Sequence, residues 1–174
     1  MGFWRRLRPV GDAHGSGSGG ASRWDVANDL TSLVIDSWHG LDAGGTGEVA
    51  AYFSEDGVFD LASARFVGRK AIADSLTKRA ALGSRTTRHV VSNFRCSVET
   101  PDRATVDYLI CTWGADGEPV LPLEGPTALG DMRDAFARSV HGKWLIESRV
   151  FTPVFVAEGR FAPSLRAADG PGRA

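Results

Sequence analysis

TTRHVVSNFRCSVETPDRATVDYLICTW, residues 86–113, decides the architecture. Its two halves, 86–99 and 103–113, are dense in β-branched and aromatic side chains, which fit a pleated surface. Between them stands Pro101-Asp102, a tight-turn pair in which proline presets φ and aspartate bonds its own backbone. The stretch therefore predicts a long antiparallel hairpin. Downstream, residues 127–140 and 143–156 repeat the pattern around the turn signal His141-Gly142. The four runs form a meander. The connection ADGEPVLPLEGP, residues 115–126, is long and proline-rich and reads as a flap at one end of the sheet.

Upstream the period changes. From 24 to 41, Val26, Leu30, Leu33, Val34, Trp38 and Leu41 recur at three- and four-residue steps, the mark of an amphipathic helix. Ser22 supplies its N-cap with Asp25 three positions on, and Gly44-Gly45 ends it. A short second helix is expected over 48–53. EDGVFDLASARFVG, residues 55–68, then gives two short strands around a turn at Ala62-Ser63. A third helix, RKAIADSLTKRAAL, runs over 69–82 between Gly68 and Gly83. Helices first and a strand meander afterwards argue an α+β fold. Long strands covered on one face curl, and their concave face encloses a pocket.

The bulk properties limit the function classes. The 174 residues fit one domain, and a net charge of -1 offers no surface for tracking phosphates or anionic lipid. No run approaches the roughly 18 apolar residues of a membrane span. MGFWRRLRPV at the start has no apolar region behind it and is not a secretory signal. HGSGSGG, residues 14–20, is a linker by composition; without a preceding strand or a following GK[ST] it is not a phosphate loop. The expected division is a flexible arm and linker over 1–21, a domain over 22–157 and a disordered tail over 158–174. Cys96 and Cys111 lack CxxC spacing and read as two reduced thiols of a cytoplasmic protein; a disulfide between them would be geometrically possible only if their strands were neighbours. No metal-ligand spacing and no dinucleotide fingerprint occur, so no cofactor is expected.

Five segments carry a resemblance: GLDAGG (40–45), VAAYFSEDGVFD (49–60), FVGRKAI (66–72), TRHVVSNFRCSV (87–98) and GDMRDAFARSVHGKWLIESR (130–149). In this order the chain resembles the SnoaL-like branch of the NTF2-like (cystatin-cone) superfamily over about 24–155. In motif pattern it is nearest to members of the scytalone dehydratase and lindane dehydrochlorinase type. The resemblance implies a cone-shaped domain with three N-terminal helices packed on a curved, mostly antiparallel sheet enclosing one pocket. It also implies pairing into a homodimer. Relatives include polyketide cyclases, isomerases and dehydratases, together with non-catalytic subunits. Two functions follow as expectations. One is a cofactor-independent lyase, cyclase or isomerase acting on a small hydrophobic oxygenated substrate. The other is a non-catalytic ligand-binding or dimerising module.

The candidate residues follow from chemistry and pattern together. His89 shares alternate positions with Thr87, Val91 and Asn93, and imidazole moves protons near neutral pH. Its other reading is a core histidine bonded to backbone. Asp42 follows the first helix, where the macrodipole disfavours a carboxylate. It either contacts the following glycines or orients His89, as a carboxylate orients a histidine base. The dehydrochlorinase and dehydratase pattern places an aspartate and a histidine where GLDAGG and TRHVV stand. The same resemblance places an arginine at Arg138, which either holds developing negative charge or pairs with Asp134 on its own face. Asn93, Trp38, Trp113, Met132, Phe136 and Asp134 complete the expected pocket set. Two departures matter. Ser37 stands where the ketosteroid isomerase pattern has a tyrosine, and Leu61 where it has its aspartate base. The scytalone pattern's second histidine is also missing.

Overall fold

The structure, a computed structural model, describes residues 22–159. The expected arm and linker and all but the first residues of the expected tail lie outside them. Helix α1, Arg23–Asp42, begins with a reciprocal capping box: Asp25 N donates to Ser22 Oγ, and Ser22 N donates to the Asp25 carboxylate. Its apolar stripe buries Val26, Leu30, Val34, Trp38 and Leu41, each contributing on the order of 1.5–3 kcal/mol.

The expected second helix over 48–53 is not one regular α-helix. It is one α-turn, α2 (Thr46–Val49), run into a 3-10 turn, Ala50–Tyr52. Gly45 precedes it without a side-chain cap, and Phe53 ends it by entering a strand fully buried. The helical layer is therefore α1 and α3 with an α-turn and a 3-10 turn between, not three full helices. Strands β1 (Phe53–Asp60) and β2 (Arg65–Val67) form the short hairpin, and α3 (Arg69–Ala81) follows Gly68, whose φ of 89° suits glycine alone.

The meander is β3 (Arg85–Thr100), β4 (Arg103–Asp116), β5 (Ala128–Arg138) and β6 (Trp144–Val156). The six strands lie in the order β2-β1-β6-β5-β4-β3, an open sheet in which only β1 and β6 run parallel. Period-two alternation sends Ala104, Val106, Tyr108 and Ile110 of β4 inward, with Met132, Asp134 and Phe136 of β5 beside them. Helix α1 covers this face along β3, and α3 covers it at β1. Cys96 and Cys111 sit on neighbouring strands but out of register, opposite Val106 and Val90, and both are free thiols.

Two irregularities set which side chains face inward. β3 shifts register between Ser92 and Arg95, where Asn93 takes a left-handed φ of 58°. Before the shift the core-contacting residue is Val91; after it they are Phe94, Cys96 and Val98. β6 shifts in the same way opposite Ala135 and Phe136, so that Trp144 and Ile146 are buried before it and Arg149 and Phe151 after it.

Candidate functional site

Between the end of α1, helix α3 and the concave sheet lies a pocket of about 120 Å³, comparable with the ~150 Å³ cavity that holds one benzene ring. Trp38 and Leu41 of α1, Phe59 of β1, Phe66 of β2, Ile110 of β4 and Met132 of β5 give it apolar walls. His89 is part of the same wall.

Asp42 stands at the last position of α1 and is met there by three donors from β3. Thr87 Oγ1 donates to Oδ1 at 2.9 Å, the His89 backbone N–H to Oδ2 at 2.8 Å, and His89 Nδ1 lies 2.7 Å from Oδ1. Both side chains are 10% exposed. Burial alone would raise the Asp42 carboxyl. The His89 ring bond, its charge and the backbone and Thr87 bonds outweigh burial and hold the pKa below the usual value. An ionised Asp42 accepts only, so Nδ1 carries a hydrogen in either state of the ring, and in the neutral ring Nε2 is the acceptor. Among the described residues no protein group holds Nε2. The imidazole lies over Trp38 with centroids 4.6 Å apart.

Behind Trp38 is a buried polar network. Trp38 Nε1 donates to the Tyr108 hydroxyl at 2.9 Å, which donates to Asp134 at 3.2 Å. Arg149 closes on Asp134 through Nε at 3.0 Å and Nη2 at 2.6 Å, and Nη2 also donates to Ser37 Oγ at 2.9 Å. The Arg149 guanidinium lies 4.6 Å from the Trp38 ring centroid. Burial pushes the Asp134 carboxyl up, opposed by Arg149 and the Tyr108 hydroxyl. Burial would lower Arg149, but the charge of Asp134 and the hydrogen bonds to its carboxylate reverse that and raise it. The pair is ionised, because a neutral Asp134 would leave a guanidinium unpaired in the interior.

The expected site set divides. Asp42 and His89 meet, and Trp38 and Met132 line the same pocket. Arg138 is corrected: it donates to the carbonyls of Pro101 and Gly142 and lies 4.4 Å from the Trp144 ring centroid, a turn clamp away from the pocket. It does not take Asp134 either, which belongs to Arg149. Asn93 is exposed in the β3 bulge. Trp113 lies outside the lining, because Thr112 and Gly114, its neighbours on β4, face the pocket and alternation turns Trp113 the other way. Phe136 and Asp134 are buried in the core rather than on the pocket wall.

Sequence reasoning missed Arg149, Tyr108 and the two pocket arginines, Arg79 and Arg85. It passed over Leu61, a position it weighed only as a departure, which lines the pocket. Among the described residues no group of three or more His, Cys, Asp or Glu comes together as metal ligands. No helix among them is long and apolar enough to cross a membrane.

A family model described as SnoaL-like domain matches residues 25–150. No curated protein matches the chain by sequence. Among solved structures, a Novosphingobium aromaticivorans protein provisionally named a scytalone dehydratase aligns with a TM-score of 0.65 at 21% identity. The alignment covers 75% of this chain and 85% of that one. ActVI-ORFA from Streptomyces coelicolor aligns at 0.63 and 19% identity, over 74% of this chain and 97% of its own. A Nostoc punctiforme protein of unknown function with a cystatin-like fold aligns at 0.62 and 17%, over 78% and 95%. At these identities the likeness is one of fold.

Proposed function

The chain belongs to the SnoaL-like domain family, and from that premise we propose that it is a cofactor-independent lyase, cyclase or isomerase. Its substrate is a small hydrophobic oxygenated molecule, and its base is His89. The observation that carries the reading is the 2.7 Å contact between His89 Nδ1 and Asp42, which leaves Nε2 without a partner among the described residues, on a ring that lines a largely apolar pocket. Nε2 takes a proton from carbon next to a carbonyl or next to a leaving group. Asp42 fixes the tautomer and stabilises the imidazolium that forms. Loss of water, the chemistry in the name of the Novosphingobium relative, is one reaction of this class. The low-dielectric wall strengthens the Asp42–His89 attraction when the ring becomes charged.

The test needs no knowledge of the natural substrate. A single-ring ketone such as cyclohexanone, incubated with the full chain in D2O, should exchange its α-hydrogens faster than buffer alone, followed by NMR. His89→Ala should lose that acceleration, of the order of 10²–10⁴-fold, while its melting temperature stays near that of the parent. Acceleration undiminished in His89→Ala would remove His89 from the chemistry.

A further inference from the structure

The pocket wall contains two guanidinium groups and no carboxylate. Arg79 comes from the last turn of α3 and Arg85 opens β3. Arg85 donates to Asp116 at 2.7 Å, but Asp116 is 84% exposed, so water screens much of its charge. Arg79 is half-buried, and its guanidinium makes no hydrogen bond or ion pair among the described residues, while its backbone carbonyl accepts from Leu82 N. Burial first and the like charge of Arg85 second pull its pKa below the usual arginine value, while the charge of Asp42 opposes them. Asp42 itself is already occupied by His89 and Thr87.

Two cations on one partly desolvated wall repel, and the Arg79 side chain has no partner among the described residues. An anion entering the pocket would relieve both conditions at once. Guanidinium is suited to this because its planar fork matches a carboxylate with two parallel N–H donors. Most of the rest of the lining, with Trp38, Phe59, Phe66 and Met132, is apolar and suits a ring, and Ser75, Thr112 and Thr127 add hydroxyls. We propose that Arg79 and Arg85 form a carboxylate-binding subsite, so that the substrate is a single-ring hydrophobic acid oriented with its anion on the arginines and its ring toward His89. The proposal rests on the pocket being the substrate site, and it does not require His89 to be the base.

Calorimetric titration of the full chain with benzoate and with its neutral isostere benzamide tests it. Benzoate should bind at least about tenfold more tightly, as a charge-assisted bidentate contact implies, and its affinity should fall as salt is raised. Arg79→Gln and Arg85→Gln should each reduce the preference, and the double variant should erase it, with melting temperatures near the parent's. Equal binding of the two probes, no binding of either, or a preference that survives the double variant overturns the subsite. His89→Asn should keep the preference, which separates the two readings. Preference intact with exchange indifferent to His89→Ala sinks the base assignment alone. Exchange dependent on His89 with no preference for benzoate sinks the subsite alone.

Discussion

Asp42 is a carboxylate at the unfavourable end of a helix dipole, and the three donors from β3 explain why it can stay there. Its folded pKa is below the ordinary 3.8, so its ionised form is favoured by folding. The stabilisation from this group is complete above the ordinary value and drains away as pH falls through the depressed one. Thermal melts in acid should therefore show the wild-type advantage over Asp42→Asn shrinking as pH drops below 3.8; an advantage that grows there contradicts the assignment. At neutral pH the same variant should lower ketone exchange by about 10²-fold or more, because an amide can hold the imidazole in the unproductive tautomer. His89 and Asp42 were legible in the sequence because each is chemically out of place in its element, one on a strand face and one at a helix end. Arg79 was not. In TKRAAL it is one more cation at the C-terminal turn of a helix, where cations belong, and only the closing of β3 beside it makes it a pocket residue.

The strands were legible in extent but not in phase. Period-two alternation holds only as long as the ladder is regular, and both β3 and β6 contain a register shift. Extended unbroken from Thr87, the alternation puts Asn93 on the pocket face; the bulge exposes it and hands the inner face to Phe94, Cys96 and Val98. Extended unbroken from Trp144, it buries Ser148 and turns Arg149 outward, the reverse of what is found. The β3 bulge depends on a residue that accepts φ of 58°, which asparagine does and a β-branched residue does not. Asn93→Val should thus destabilise by about 1–3 kcal/mol in chemical denaturation, whereas Asn93→Gly should be close to neutral. Equal losses in the two variants would mean that the Asn93 side chain, not its backbone, is what the strand needs.

At the scale of the whole molecule the β6 shift has its largest consequence, since it brings a cation into the core. Arg149 and Asp134 are 1% and 0% exposed, and they are tied to the pocket through Trp38, which donates to Tyr108 on one side and faces His89 on the other. The cost of burying two charges is offset only while both are present. Removing one leaves the other desolvated and alone, so Arg149→Met should cost on the order of 3–5 kcal/mol, and Asp134→Leu a similar amount. The double variant Asp134→Leu/Arg149→Met should cost far less than the sum, because it replaces the pair with apolar volume and leaves only the Tyr108 O–H without its acceptor, Ser37 Oγ still donating to the Val34 carbonyl. Urea denaturation of the four proteins closes the cycle. A large coupling would identify the network as a single unit beneath the pocket floor. Additive losses would mean that Arg149 acts mainly through its contact with Trp38, and in that case the His89 environment, read from ketone exchange, should suffer in Arg149→Met and be spared in Asp134→Leu.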